Sequence, residues 1–371
     1  MFEDIRPYND AETAAALRRV SNNRLMDQIS AFLFQGKDPD ILRNTLNTIR
    51  GVDDFQTRVM YPAVRTILGK TTKGLTFEGL EHFTGGQCYT MLSSHRDIVL
   101  DSAFIQFIFK DNDLPLSEIA VGDNLIYNQF MEDLMRSNRM IKVVRNTNPK
   151  QLYETSRELS AYIRKRLTDE EPASVWISHR NGRTKDGYDA TEQGLLKMLS
   201  MSGSNDFVEN MMGLKLMPVA VSYEIESCGT KKAYEVYVKQ QFGKYAKRPG
   251  EDLESIVVGI AQQKGRVHIA FCEPISEDDL RACAALDKND RFRQLAKIID
   301  DRILAAWRVW PVNIAALELL EGRPASRRRV TAELESYLKE ELDSLPRWVD
   351  RNAIRNNLLN IYATPARRKG L

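Results

Sequence analysis

From about residue 75 onward, short apolar runs alternate with segments of helical periodicity, and this alternation constrains the fold more than any other feature. Strand and helix in alternation predict an α/β fold: a mixed, largely parallel central sheet flanked by helices. Functional side chains are then expected on loops at strand ends. The runs predicted as strands are LTFEGL, CYTMLSS, EIAVG, MIKVVR, ASVWIS, LMPVAVSYE, AYEVYVK and VHIAF.

Helical patterns dominate both ends of the chain. We therefore predict an N-terminal helical region (1–70), an α/β domain (71–285) and a C-terminal helical region with a basic tail (286–371). Within the α/β domain, Pro149 and Pro249 are expected to open helices, because the first helical position does not need a backbone N–H. Tyr223 is expected to serve the edge of the core.

The composition is that of a soluble globular protein, with 43% hydrophobic and 28% charged residues among 371. A formal net charge of +2 argues against a general nucleic-acid-binding field. The four cysteines are scattered, and the histidines show no ligand spacing, so we predict no metal and no bound cofactor. The opening residues carry no secretory signal, and these features together favour a reducing cytoplasm.

The stretch SSHRDIVLDSA raises two chemical alternatives around His95. A protein-kinase catalytic loop needs an Asn where this chain has Ser102, a glycine-rich loop upstream and an Asp-Phe-Gly downstream. The chain has no such glycine-rich loop before His95, and Asp206-Phe207 is followed by Val208. The kinase interpretation therefore fails.

The second alternative places His95 where an apolar strand gives way to a helix. A histidine at such a junction acts as a general base on an alcohol when a carboxylate fixes its tautomer. The nearby helix N-terminus favours a bound carbonyl or phosphate. Taken alone, a His near an Asp is more often structural than catalytic.

Five blocks, in order, resemble the glycerolipid acyltransferase superfamily, and especially its glycerol-3-phosphate and dihydroxyacetone-phosphate acyltransferase branch. The His-Asp block is the first, and the fifth resembles a Gly-Glu-Pro-Ile strand end. The resemblance covers about Leu75 to Ile275. The blocks are FEGLEHF…MLSSHRDIVLDSAFI, AVGDNLI…RSNRMIKVVRNT, VWISHRNGRTKDG, LKLMPVAVSYE and RVHIAFCEPIS.

This resemblance implies an O-acyltransferase of phospholipid synthesis that acts on a glycerol-3-phosphate-type acceptor. The acyl donor is an acyl-CoA or acyl-carrier-protein thioester. His95 is implied as the general base, and Asp101 as the acid that orients it. The implied substrate-binding residues are Arg96, Gly122, Asn124, Arg145, Asn181, Gly182, Arg183 and Lys185.

Two features depart from the family pattern. The family dyad is His, four residues, Asp, whereas five residues separate His95 from Asp101, and Asp97 is a rival partner. In a continuous helix one extra residue turns the carboxylate by about 100°, but a first turn outside the helix absorbs it, so we favour Asp101. In the third block Asn181 stands where the family has Glu, which removes a charge.

Alternatives remain at two levels. One alternative keeps the acyltransferase class and replaces glycerol-3-phosphate as the acceptor by lysophosphatidate or another lipid head. From another class, the chain is a non-catalytic lipid- or acyl-CoA-binding protein on the same fold, which the Asn181 substitution favours.

No apolar run reaches the roughly 18 to 20 residues of a membrane span, so we expect a peripheral contact on the cytoplasmic face. For the apolar segment 303–320 a core helix is favoured over a helix at the lipid headgroups, backed by the basic tail.

Overall fold

The computed structural model of the 371-residue chain describes residues 2–33, 40–145 and 148–371. Across these ranges the chain forms one seven-stranded sheet with buried apolar clusters on both of its faces. The strands are β1 (Thr72–Glu78), β2 (Thr90–Ser93), β3 (Glu118–Gly122), β4 (Met140–Val143), β5 (Val175–Ser178), β6 (Leu216–Tyr223) and β7 (Gly265–Phe271).

Seventeen α-helices accompany the strands in the described ranges, with a π-helical turn at Gln56–Met60 and 3₁₀ turns at Leu80–Gly86 and Asp123–Leu125. The first seven helices are α1 (Asp10–Ser21), α2 (Leu25–Leu33), α3 (Asp40–Asn47), α4 (Val52–Phe55), α5 (Tyr61–Thr71), α6 (Leu100–Asp111) and α7 (Gln129–Ser137). Five follow within the sheet region: α8 (Pro149–Thr168), α9 (Gln193–Leu199), α10 (Phe207–Met212), α11 (Gly229–Phe242) and α12 (Glu251–Ala261). The last five are α13 (Glu277–Ala284), α14 (Lys288–Ala306), α15 (Pro311–Glu321), α16 (Arg328–Asp343) and α17 (Arg351–Arg368).

The sheet is mixed and largely parallel, which confirms the predicted fold class. Its strand order is β1-β7-β6-β2-β5-β3-β4. Among the described strands, five neighbouring pairs are parallel, and β6 with β7 is antiparallel. Because β2, β3, β4, β5 and β6 run in one direction, all five end at the same edge of the sheet, which we call the carboxyl edge.

The central strand β2 shows why the sheet is covered on both faces. Alternation along the strand places Met91 in the same buried cluster as Phe104 of α6, and Leu92 in the same buried cluster as Ile299 of α14. Strands buried on both faces read as near-continuous apolar runs, as β5 and β6 do. Helices beyond residue 285 thus share a core with the sheet; the domain boundary placed there stays a prediction.

One of the eight segments predicted as strands is wrong. Residues 233–239, AYEVYVK, lie inside the helix α11. Their alternating aromatic and β-branched residues suggest a strand, but α11 buries Thr230, Ala233 and Tyr237 at helical spacing and packs against α17. Lys239 and Glu235, one helical turn apart, form an ion pair of 2.7 Å.

Smaller differences concern helix starts and the long apolar segment. Pro149 opens α8 as predicted, whereas α12 begins at Glu251, two residues after Pro249. Residues 303–320 span the end of α14 and most of α15, with a 106° bend between these helices and with both tryptophans buried. In the ranges described, no single helix combines the length and apolar composition of a membrane span; α14 and α15 do so only as a bent pair.

Candidate active site

Four of the predicted site segments meet at the carboxyl edge. His95 follows β2 by two residues, Gly122 ends β3, Arg145 follows β4 by two residues, and the loop 179–192 follows β5. The strands β2, β5, β3 and β4 are consecutive neighbours in the sheet. Since neighbouring strands lie about 4.8 Å apart, these segments lie side by side at the mouth of the sheet.

The imidazole of His95 contacts the carboxylate of Asp101. Its Nδ1 atom lies 3.0 Å from Oδ2 of Asp101, in the first turn of α6. The carboxylate is fully buried, and the same oxygen accepts hydrogen bonds from the backbone N–H groups of Arg96 (2.7 Å) and Asp97 (2.9 Å). Because a carboxylate only accepts, it fixes the proton of His95 on Nδ1 and leaves Nε2 with a free lone pair.

Tyr223 completes the environment of Asp101. This residue ends β6, the neighbour of β2, and its hydroxyl donates to the second oxygen, Oδ1, of Asp101 over 3.0 Å. Burial, together with the charge of Asp101, raises the pKa of Tyr223 well above its ordinary value, so the phenol stays protonated. The buried carboxylate therefore has a donor on each oxygen.

Asp97, the rival partner, is engaged elsewhere. One of its oxygens accepts from the backbone N–H groups of Val99 and Leu100, each over 2.9 Å, just where α6 begins. Its other oxygen accepts from the hydroxyl of Ser227. Asp97 thus caps the helix and fixes the turn, while Asp101 faces the imidazole.

The opposite side of the His95 ring is free of partners in the described part of the chain. No hydrogen bond to Nε2 comes from residues 2–33, 40–145 or 148–371, and the side chain is 14% exposed. The ring of Trp176, in β5, meets the imidazole edge-on at a centroid distance of 5.9 Å. Packing and the carboxylate therefore hold the ring, and Nε2 remains available to take a proton.

Gly122, Asn124, Arg145 and Asn181 form a second cluster on the same edge. Nη1 of Arg145 donates to Oδ1 of Asn181 over 2.6 Å. A Cβ on Gly122 would lie 2.5 Å from Oδ1 of Asn124 and 2.8 Å from Nε of Arg145, so only glycine allows the guanidinium to approach the strand. Burial lowers the pKa of Arg145 below its ordinary value. The last two residues of the second block, Asn146 and Thr147, lie outside the described residues.

The loop 179–192 carries the remaining predicted residues. Gly182 occupies the left-handed region, with φ of 76°. Arg183 is half-buried, and its Nη1 is enclosed with no hydrogen-bond partner in the described ranges. Lys185 donates to Glu235 of α11 over 2.5 Å, and burial lowers the pKa of its ammonium. Of the two cations, Arg183 is the one that retains bonding capacity.

Arg96 differs from the expectation that it binds substrate. Its side chain is 1% exposed and lies 2.5 Å from Asp189 and 3.5 Å from Glu226. Burial opposes its charge, but these two carboxylates prevail and raise the pKa of Arg96 above its ordinary value. The guanidinium also lies 5.7 Å from the ring centroid of Trp307. Arg96 therefore ties the His95 turn to the interior and does not line a cleft.

His179 is fully buried behind the site. Its Nδ1 lies 3.2 Å from the hydroxyl of Thr191, which donates to Asp300 over 2.6 Å. Burial lowers the pKa of His179 to about 4. The imidazole is therefore neutral near pH 7, and it presents no surface to a ligand.

Three residues around the site were not identified from the sequence as functional: Trp176, Asp189 and Tyr223. A Tyr at the end of an otherwise apolar buried strand does carry a signal, because a buried hydroxyl needs a partner. The Trp in VWIS carries a weaker one. Asp189 follows a glycine-rich turn that resembles any surface loop, and its role depends on a tertiary contact.

In the described part of the chain no metal cluster marks this edge, and one cavity lies elsewhere. The described residues contain no group of three His, Cys, Asp or Glu side chains placed to hold a metal ion. A depression of about 330 Å³ lies between α16 and α17, bordered by Leu338, Leu342 and Arg351 among others, and includes none of the predicted site residues. The candidate active site is therefore recognised by the arrangement of its side chains, above all His95 and Asp101.

No family model and no curated protein matches the sequence. Among solved structures, the chain is similar to the 1-acyl-sn-glycerophosphate (LPA) acyltransferase PlsC from Thermotoga maritima. The TM-score is 0.39 at 10% sequence identity, over 81% of this chain and 98% of that one. Conclusions about activity therefore rest on the geometry of this chain's own site.

Proposed function

We propose that the protein is an O-acyltransferase that moves a fatty acyl group from an acyl-CoA or acyl-carrier-protein thioester to a hydroxyl of a glycerol-3-phosphate-type acceptor. The observation that carries this proposal is the contact of His95 Nδ1 with Asp101 at the carboxyl edge, which leaves Nε2 unpartnered in the described residues. A dyad so arranged activates an alcohol and does not itself become acylated.

The acyl group moves in two stages, attack on the thioester and loss of the thiolate. Nε2 of His95 accepts the proton of the acceptor hydroxyl while the hydroxyl oxygen attacks the thioester carbonyl, and a C–O bond forms. The tetrahedral intermediate then collapses with cleavage of the C–S bond, and the imidazolium returns the proton to the leaving thiolate. Asp101, steadied by Tyr223 and two backbone N–H groups, stabilises the imidazolium that exists between these events.

Arg145 and Arg183 supply the charge that a phosphorylated acceptor requires. Arg145 donates to a neutral amide, Asn181, and among the described residues Asp123 and Glu192 act on its charge from a distance without forming an ion pair. Arg183 has an enclosed Nη1 that the described residues do not satisfy. A phosphate offers acceptors to both guanidinium groups, and arginine suits the geometry of that anion. Lys185, paired with Glu235, would support the loop.

Because the acyl chain and the product are membrane components, we propose that the protein acts as a peripheral enzyme at the cytoplasmic face of the membrane. Acylation of lysophosphatidate or another lipid head at the same dyad is the alternative within the class.

A second candidate is a non-catalytic lipid- or acyl-CoA-binding protein on the same fold. Asn181 favours it, because the resemblance places a carboxylate at that position, and the contact with Arg145 shows what an amide does there: it binds the arginine without neutralising it. Such a protein would hold its ligand with or without His95.

The experiment incubates purified protein with radiolabelled acyl-CoA and glycerol-3-phosphate, and in parallel with lysophosphatidate. His95→Ala is the test variant. His82→Ala is the matched control, because that side chain lies 3.6 Å from Glu273, has no contact with Asp101 and is 20% exposed. Labelled lipid that disappears only with His95→Ala supports catalysis. Acyl-CoA binding without product, equal in all three proteins, supports the binding protein.

A further inference from the structure

The basic C-terminus folds inward against the loop 179–192 and the end of α14. Nη1 of Arg368 donates to the carbonyl oxygen of Asp189 over 2.8 Å, and the guanidinium lies 4.2 Å from the ring centroid of Tyr188. Nζ of Lys369 donates to the carbonyl oxygens of Ala305 (2.9 Å) and Trp307 (2.6 Å). Both cations are therefore used within the fold.

The preceding turn of α17 holds the same loop. The hydroxyl of Thr364 donates to the carbonyl oxygen of Asp186 over 2.9 Å. Gly187 has φ of 77°, and a Cβ there would lie 2.4 Å from the carbonyl oxygen of Ile361. Only glycine fits this close approach, so the loop is shaped to receive the helix.

From this loop the contacts lead directly to the dyad. The carboxylate of Asp189 accepts from Nη2 of Arg96 over 2.5 Å and from the hydroxyl of Thr184. The backbone N–H of Thr184 donates to the carbonyl oxygen of His95 over 2.8 Å. Asp189 thus binds Arg96 directly and is linked to His95 through Thr184. Arg368 in turn donates to the backbone carbonyl of Asp189.

We propose that the C-terminal turn of α17, through Thr364 and Arg368, is a positioning element of the His95 site, with Arg368 as its principal positioning residue. This inference rests on the proposed function. Arg368 touches no substrate; it fixes Asp189, and through Asp189 it fixes the side chain of Arg96 and, by way of Thr184, the backbone carbonyl of His95. A misplacement of about 1 Å at a reacting group costs on the order of a hundredfold in rate, so a remote contact of this kind matters.

The rest of α17 secures the helix independently of Arg368. Tyr362 is buried, and its hydroxyl accepts from the backbone N–H of Glu226 over 3.1 Å. Ile354, Leu358 and Leu359 are fully buried in the cluster that α17 shares with α11, α15 and α16. We therefore expect Arg368→Ala to loosen the loop while the helix stays docked.

The test compares Arg368→Ala with Arg367→Ala, a neighbouring arginine that is 47% exposed and lies 3.6 Å from Glu321. Amide hydrogen exchange is measured over residues 95–97 and 184–189 of the substrate-free proteins, beside kcat, KM for the acyl donor and the thermal midpoint. In Arg368→Ala we expect faster exchange in both segments, kcat lower by about tenfold or more, and an unchanged donor KM. Arg367→Ala should match the wild type, and Arg368→Lys, which keeps a donor, should recover part of kcat.

Exchange rates in Arg368→Ala equal to those of Arg367→Ala would overturn the inference, as would faster exchange with full kcat. If Arg368→Ala does not fold, Thr364→Val, which removes the other hydrogen bond to the loop, carries the same comparison. An inactive wild-type protein would refute the proposed function; the exchange measurement, made without substrate, would then decide alone whether the turn holds the His95 segment.

Discussion

Nδ1 of His95 and Oδ2 of Asp101 are 3.0 Å apart, although five residues separate them in the sequence. The contact survives the extra residue because the segment from His95 to Val99 precedes α6, which begins at Leu100. In a continuous helix the same insertion would turn the carboxylate by about 100°. Here the extra residue lies in the non-helical turn before α6, which the hydrogen bonds to Asp97 hold in place, so Asp101 still faces the imidazole.

Asp101→Asn should inactivate the protein more than Asp97→Asn does. The amide of Asn carries no charge and cannot stabilise the imidazolium that forms on His95, so we expect kcat to fall by about 10³ to 10⁴. Asp97→Asn keeps an oxygen that can accept from the backbone N–H groups of Val99 and Leu100 and alters only the contact with Ser227, so it should leave stability nearly unchanged with a smaller loss of rate. Steady-state kinetics and urea unfolding of both variants separate the two roles; equal losses of kcat would contradict the assignment.

Tyr223→Phe removes the donor to Oδ1 of Asp101 and leaves that oxygen buried without a partner. We expect a loss of about 1 to 3 kcal/mol in the free energy of unfolding. Tyr245→Phe is a matched control, since that phenol donates to a half-buried carboxylate, Glu251, far along the chain from the dyad. Denaturant titrations give both values, and a Tyr223→Phe protein as stable as the wild type would show that Asp101 does not depend on this hydroxyl.

The sequence predicts the sheet well because each of the seven described strands coincides with a short run that helical patterns bound, and seven of the eight predicted segments are strands. It fails at 233–239, where aromatic and β-branched residues imitate a strand and only the packing of α11 on α17 decides for helix. The residue types of β2 and β5 predict strands, but nothing local reveals that these two are neighbours. Strand order is a long-range property.

Gly122→Ala should displace Arg145, because the new Cβ would lie 2.8 Å from Nε of that residue and 2.5 Å from Oδ1 of Asn124. We expect KM for the phosphorylated acceptor to rise by about tenfold, which corresponds to the loss of one hydrogen bond to a charged group. Gly69→Ala, in α5 with nothing within 4 Å of the added Cβ, is the control and should leave KM unchanged. If the acceptor KM of Gly122→Ala equals that of the wild type, Arg145 does not bind the acceptor.

Asn181→Glu places a carboxylate where an amide now accepts from Arg145 at 2.6 Å. If Arg145 binds the acceptor phosphate in the native protein, the new ion pair competes with the substrate and raises acceptor KM by about tenfold or more. Asn181→Gln, which has the length of Glu without its charge, isolates the electrostatic part. The binding-protein candidate expects the reverse: an inactive wild type that gains turnover with Glu.

His179 should make the protein less stable in acid. Burial lowers the pKa of His179 to about 4, against roughly 6.5 in an unfolded chain. Between these values the unfolded chain binds a proton that the folded protein does not, so stability falls as pH drops from about 6.5 to about 4. Between pH 7 and pH 5 the loss from this group is about 2 kcal/mol.

Urea unfolding of the wild type and His179→Gln at pH 7 and pH 5 measures this contribution. Nearby carboxylates titrate in both proteins, so the difference between the two pH-dependent losses belongs to His179. We expect the wild type to lose about 2 kcal/mol more than the variant over this interval. Equal losses would mean that the imidazole is not kept neutral by burial.

The site shows the same division between local and long-range information as the sheet. Motif spacing places His95, Gly122 and Arg145 at strand ends and Asp101 in the helix after β2, and the parallel sheet brings those ends to one edge. Arg96 stands within the same motif, yet its environment is set by Asp189, 93 residues further on. Burial of this kind depends on loop packing, which no local pattern encodes.

The central claim is that His95 removes a proton from an alcohol. The most direct measurement is the rate of acyl transfer from labelled acyl-CoA to glycerol-3-phosphate, at saturating concentrations of both, for the wild type and His95→Gln. We predict a rate at least about 10³ lower in the variant, with acyl-CoA binding and thermal midpoint retained. A variant that transfers acyl groups at the wild-type rate would contradict it.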